Sequence, residues 1–445
     1  MKRFGWLNTV LVLLIMFNMS VSILYALPEG EQVENGSASF ERPNETTLNI
    51  TANNGAVINF NSFNIASNEI VNFNPYDPAL AASTNVLSRV TGPNPSYIAG
   101  TLNANLNLYL VNTNGIHFAP SAQVSANNLV ASTLDISTNN FINGNYILEN
   151  NLKYSQILNE GLITADNVAL VASSVHNAKT GIIIARAGTV TLASGDKVTV
   201  SFDMRGFINV EVNEKTTGKV VDMQGNTVKD AVANAGRIEA TQVMMTVKTA
   251  NDIFENAVNQ TGIVRATGFI NQNGVIRLVS NKNIQISGTL EAKGGKVYVS
   301  SDDFVGIAAE FSTAGDTEIT SNGDIIVDAD ITTDSGNLDL IADADLDGVG
   351  AFKQAKGTLV STLNFGNITI QSSGEGTFAN IESAGDLILK KGGAPAVFTQ
   401  WPDSHISANG SMRIGQDVTI NADNAVYEIG RDWRNLGYFN ADMST

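Results

Sequence analysis

One short pattern, Gly-x-(Ile/Leu/Val)-x-Ala, occurs six times in the 445-residue chain, starting at Gly100, Gly161, Gly181, Gly236, Gly262 and Gly288. The last three glycines are spaced 26 residues apart, and Gly161 precedes Gly181 by 20. A repeat of that length holds three short strands and three corners, and stacking such turns buries one column of Ile, Leu, Val and Ala. The period therefore predicts an all-β fold, a right-handed parallel β-helix. A sandwich or barrel would also show strands and turns, but it would not need one alanine-bearing motif at a rung-sized period. The 55 residues from Gly181 to Gly236 read as about two rungs with a surplus, which we assign to a polar hairpin outside the coil around Val212–Gly218 and Asp222–Asn226.

Alternation supports strands between these glycines. Val190, Leu192, Val198, Val200 and Phe202 fall on one face and Thr189, Thr191, Lys197, Thr199 and Ser201 on the other, the period of a half-buried strand. Turn clusters such as Ala193–Asp196, Ser321–Asp324 and Ser383–Asp386 separate the runs, because glycine and asparagine tolerate the left-handed region. Stacked asparagines at equivalent corners are expected to hydrogen-bond along the axis. A coil stack exposes strand edges only at its two ends. Residues 27 to about 60 are placed to cap the first end, and Trp401-Pro402 with Arg431–Arg434 to cap the second.

Lys2 and Arg3 precede an apolar run from Trp6 to Ala26, the pattern of a secretory signal, with an uncleaved anchor as the alternative. The expected division is a signal peptide over 1–26, a first β-helical domain over 27–260, and continuing β-helix repeats over 261–445. The chain has no cysteine, so an exported form is stabilised without disulfides. Its formal net charge of −17 argues against nucleic acid as a partner.

Motifs for chemistry are sparse. The three histidines, His117, His176 and His405, are too scattered in sequence to define a zinc site or a catalytic triad. Asp302-Asp303 reads as a solvated turn, no phosphate loop is present, and no cofactor is implied. We expect no enzymatic activity, a β-helical carbohydrate-active enzyme being the rival reading. Asp343, Asp345 and Asp347 alternate before Gly348 and could offer oxygens to one calcium ion, but Gln354 stands where the last carboxylate ligand belongs. Aspartates so placed are more often the wet face of a turn.

Six blocks carry a resemblance: Leu27–Gly30, Asn54–Ile65, Leu87–Gly92, Ser96–Gly100, Asn112–Ile116 and Leu129–Thr133. In this order they resemble the secretion domain that opens filamentous-haemagglutinin-type exoproteins of two-partner secretion. The match is strongest over 27–133. The resemblance implies export through the periplasm, an outer-membrane β-barrel transporter with periplasmic recognition domains as partner, and delivery to the medium or surface of a Gram-negative-type bacterium. It places the transporter-recognition motif at Asn112, Asn114, Gly115 and Ile116, where Asn114 and Gly115 suit the tight turn of a hairpin. It implies an adhesin or haemagglutinin with a host or bacterial surface ligand. A structural surface or biofilm component is a further alternative.

Overall fold

The computed structural model describes residues 27–204, 206–266, 274–292 and 294–442, and the signal segment lies outside them. The repeat motifs form one column. Leu102, Val124, Ile163, Ile183, Ile238, Val264 and Leu290 pair in parallel, each with the next, through seven successive coils, and all seven are buried. Val124 belongs to a coil that carries alanine, Ala122, at the motif's glycine position. Two further columns complete the triangular coil, one running through Ile116, Ile157, Val175, Val232 and Val258. The parallel stack of a right-handed β-helix is thus the observed architecture, and the face of the repeat motifs is carried onward by strands from Phe311–Thr313 to Val426–Ile429.

The motif glycine has a steric cause. A Cβ on Gly236 would lie 2.2 Å from the carbonyl oxygen of Gly181, and on Gly262 or Gly288 2.2 Å from that of the glycine one coil below. Beside this column runs a ladder of buried amides. The Nδ2 of Asn159 donates to Oδ1 of Asn177 at 2.8 Å, Asn177 to Asn234 at 2.7 Å, and Asn234 to Oε1 of Gln260 at 2.8 Å. Each carboxamide is satisfied on both sides, the condition for placing such groups in a core without penalty. A second ladder joins Asn85, Asn107, Asn128 and Asn167 at another corner, as expected of stacked corner asparagines.

Two expectations about this stretch are corrected. Ile183 pairs directly with Ile238, so Gly181 to Gly236 is a single coil. Its surplus includes an antiparallel pair, Lys197–Phe202 with Ile208–Glu214, joined by Ile147–Glu149 into a sheet outside the coil. The alternating run around Val190 is also two strands in two cores. Val190 and Leu192 face the coil interior, whereas Val198 and Val200 join Tyr109, Phe141 and Val210 in a second core between the coil and the outer sheet. That cover buries Thr189 and Thr191 as well, so the strand Thr189–Ser194 is buried on both faces. Inside it the Tyr109 phenol is held well above its usual pKa, first by burial.

At the first end, Gln32–Asn35 and Ala38–Asn44 run antiparallel to Ala56–Phe60 and Thr47–Ala52 and close the stack. The cap is therefore narrower than 27–60, since Thr47–Phe60 already belongs to the first coil. The second end has no such closure among the described residues. Trp433–Asn435 and Tyr438–Asp442 pair in parallel with the preceding coil, and Tyr438 and Leu436 are 68% and 77% exposed. Arg431–Arg434 continues the coil instead of capping it, and Trp401 donates from its indole nitrogen to the Gln354 carbonyl at 2.8 Å, a tie between neighbouring coils.

The register gives a direct test. Val264→Asp places a carboxylate without a partner in the column and is expected to cost at least ~3 kcal/mol, read by denaturant unfolding. Arg265 points outward, but its guanidinium bonds Glu291 at 2.8 Å and lies 3.5 Å from Glu239. Arg265→Gln, which adds no third carboxylate to that row, should cost no more than about 1 kcal/mol. Equal costs for the two variants would refute the register.

Candidate functional site

Asn112, Asn114, Gly115 and Ile116 form a coil corner and not a hairpin. The strands on either side, Thr101–Asn112 and Ile116–Phe118, do not pair with each other; each lies parallel to strands of the coils below and above. The reason is the side chain of Asn112, which is fully buried and fastens the corner downward. Its Nδ2 donates to the Asn94 carbonyl and to Ser96 Oγ, both at 3.0 Å, and its Oδ1 accepts the Asn114 backbone N–H at 2.9 Å. Asn114 Nδ2 in turn donates to the Gly92 carbonyl at 2.9 Å. Gly115 adopts φ +123°, a conformation that favours glycine, and Ile116 is wholly buried. Asn112 and Ile116 thus build the corner, while Thr113, Asn114 and Gly115 line the surface above it.

That surface is a trough. Two adjoining concavities of about 390 and 320 Å³ share Gln156, Leu158, Asp222 and Gln224 among their lining residues. Their floor is one row of paired residues, His117, Leu158, His176 and Ala233, which Tyr97 continues beyond the trough. The fold therefore brings together two histidines that lie 59 positions apart in sequence, a juxtaposition that becomes visible only once strand register is known. His117 meets the Tyr97 ring edge-on at 5.1 Å and its Nε2 lies 2.8 Å from Glu160. Burial pushes the pKa of His176 down, against the opposing pull of Asp230 and Glu160.

One wall is the segment Lys153–Gln156. Lys153 Nζ donates to Asn114 Oδ1 at 3.1 Å, and Ser155 Oγ to the Thr113 carbonyl at 2.8 Å. The other wall is a small hairpin closed by the Val221–Thr227 bridge. Asp222 Oδ1 accepts the backbone N–H groups of Gln224 and Asn226 at 2.9 and 2.8 Å, which turns its charge into its own loop. The polar hairpin expected outside the coil around Asp222–Asn226 is thus present, and it faces the coil corner at Asn112–Ile116.

The comparisons bear on this region. The sequence profile of the TPS secretion domain matches residues 25–292, well over half the chain. The chain belongs to the two-partner secretion exoprotein family. Such exoproteins have a dedicated outer-membrane transporter and are secreted across the outer membrane of Gram-negative bacteria. Two curated relatives are each described as a heme/hemopexin-binding protein of Haemophilus influenzae, one 29% identical over 279 residues and one 27% over 299. These matches span 60% and 62% of this chain but only 29% and 30% of the relatives. The crystal structure of the HMW1 secretion domain from Haemophilus influenzae superposes with a TM-score of 0.59 at 21% identity, over 93% of this chain and all of that one, which establishes the shared fold.

Away from the trough, the carboxylates of Asp343, Asp345 and Asp347 of this exoprotein do approach within 4.8 Å of one another. Asp343 is fully buried at φ +51°, and its carboxylate already accepts Ser373 Oγ at 2.5 Å, Gly393 N at 2.7 Å and Gly348 N at 3.2 Å. Burial opposes its charged form, but the hydrogen bonds from Ser373, Gly393, Gly348 and Asp347 prevail and hold its pKa below the ordinary value. The group ties the 343–350 loop to a segment 50 residues away. Gln354 is likewise structural, its Oε1 accepting the Ala379 N–H at 3.0 Å. Asp343→Ala is expected to cost about 1–3 kcal/mol for the donors it strands, and Asp345→Ala less than about 0.5 kcal/mol. Thermal melts of the parent in calcium and in chelator should coincide; an upward shift in calcium that Asp345→Ala abolishes would assign the cluster to a metal.

His176 predicts a pH dependence. Its folded pKa lies below the unfolded one, so below about pH 6.5 the unfolded chain takes up a proton that the folded chain resists, and stability falls. His176→Gln should lose less stability than the parent between pH 7.5 and 5.5, measured by denaturant unfolding. Parallel losses would rule out this contribution.

Proposed function

We propose that the first coils of this exoprotein carry the address read by the transporter's periplasmic recognition domains, and that the rod beyond them is displayed as an adhesin of the haemagglutinin type for a host or bacterial surface ligand, without enzymatic activity of its own. The observation that carries the first half is the corner at Asn112–Ile116, whose exposed part opens into a surface concavity of about 390 Å³. In support of the second half, the rod's exterior pairs opposite charges from coil to coil, as in Lys296–Asp316 at 2.9 Å, Lys391–Asp417 at 2.7 Å and Arg413–Asp386 at 2.6 Å. Repeating polar rows of this kind give a long accessible side, the surface that solenoids use for extended partners.

A second reading is favoured by the two Haemophilus influenzae relatives: binding of a host heme-carrier protein or of heme. Those relatives extend far beyond the matched stretch, so their description does not locate binding within it. Adhesion to cultured cells against retention of heme or hemopexin by the purified chain separates the two readings.

The address itself is testable in cells that produce the transporter. Replacing Asn112, Asn114 and Gly115 together should leave the protein in the periplasm with its signal removed. Asn114→Ala alone, which spares the buried Asn112 bonds, should reduce release while the purified protein melts close to the parent. Delivery of the triple variant equal to that of the parent would overturn the address.

A further inference from the structure

Two exposed apolar side chains stand at the trough, Val221 at 46% and Met223 at 38%, and Leu152, at 83%, adjoins its wall residue Lys153 in the chain. Val221 and Met223 line it directly, and a Cβ on Gly115 would sit 3.6 Å from Met223 Cε, so the hairpin overhangs the signature corner. The hairpin is rigid by construction. Asp222 N donates to the Asn226 carbonyl at 2.9 Å, Gly225 N to the Asp222 carbonyl at 3.0 Å, and Asn226 Nδ2 to Asp222 Oδ2 at 3.0 Å. A hairpin backbone fixed before binding loses little freedom on contact, which favours a docking surface. Leu152 sits at φ +60°, a left-handed conformation that costs a branched residue energy, next to the wall residue Lys153. The segment carrying it is pinned from the far side, with Asn150 Nδ2 donating to Asp196 Oδ1 at 2.9 Å and the Tyr154 hydroxyl 2.9 Å from Thr217 Oγ1.

Charge narrows the occupant. Lys153 bonds only neutral oxygens, of Thr113 and Asn114, and has no carboxylate partner among the described residues. A second copy of a chain with net charge −17 is repelled as a whole, so self-association is disfavoured, whereas a local segment that brings one carboxylate to Lys153 is not. Resting on the export reading above, we propose that this trough is a docking surface for the transporter's periplasmic part, receiving an extended segment that presents an aliphatic or aromatic side chain to Met223 and Val221 and a carboxylate to Lys153. The address is then assembled from segments near residues 93–95, 113–117, 153–158 and 221–224, and is complete only when the excursion from the coil has folded.

The test uses the full chain in cells that produce the transporter, with Met223→Asp and Lys153→Glu, and Met204→Asp as a control on a fully exposed methionine of the outer hairpin, away from the trough. Met223→Asp and Lys153→Glu should each lower the secreted fraction at least tenfold while the purified proteins melt within a degree or two of the parent; Met204→Asp should be secreted as the parent is. Normal secretion of Met223→Asp overturns the proposal, even where the triple corner variant is retained and the export reading stands. Secretion of the parent that does not depend on the transporter would instead sink the export reading. A dimer of the purified parent that Met223→Asp dissociates would assign the surface to self-association and equally overturn the proposal.

Discussion

Neighbouring coils lie one backbone hydrogen bond apart along the axis, and every other feature of the molecule accommodates that spacing. At about 4.8 Å per coil, a side chain at the corner positions of Gly236, Gly262 and Gly288 would meet the carbonyl below. That is why Gly236, Gly262 and Gly288 stand in line and why the chain repeats a glycine-led motif. The same distance matches a carboxamide's reach from one coil to the next, so asparagine serves where glycine's neighbours must be satisfied, as Asn159, Asn177 and Asn234 do. Removing one of those amides would strand a donor on one side and an acceptor on the other, each worth about 1–3 kcal/mol when buried.

The outer sheet is the second organising element. By covering the strands that carry Tyr109, Val130 and Val171 it gives those strands a core on each side, the coil interior within and the outer sheet without. The excursion that supplies this cover continues through Thr216, whose N–H returns to the Lys248 carbonyl, into the hairpin over the signature corner. One departure from the coil thus both stiffens the early coils and builds the wall of the trough.

The coil stack was legible because it is a periodic problem: Ile238, Val264 and Leu290 sit one period apart, and parallel pairing then has no choice of register. The excursion was legible as a polar hairpin outside the coil, but the outer sheet it builds was not. Val198 and Val200 alternate just as Val190 and Leu192 do, and nothing local distinguishes a strand that faces the inner core from one that faces the outer. For the same reason the gap after Gly181 looked like two coils. The corner at Asn112–Ile116 was recognised by its residues, yet its form was misread, because an asparagine-glycine turn between strands suits a hairpin locally and only the buried Asn112 bonds decide for a coil corner. Tyr97, His117 and His176 gave no signal at all, since their proximity follows from coil lengths and from no spacing in the chain.

The two ends of the stack are not alike. The first is closed by antiparallel strands whose outer edge carries Glu41, Arg42 and Pro43, residues that resist further pairing. The last described coil presents the kind of parallel edge that every inner coil offers its successor. Coils can therefore be gained or lost by duplication or deletion distal to the trough without disturbing a single contact within it. Reach becomes a quantity that evolution can adjust in steps of one coil, while the trough is inherited intact.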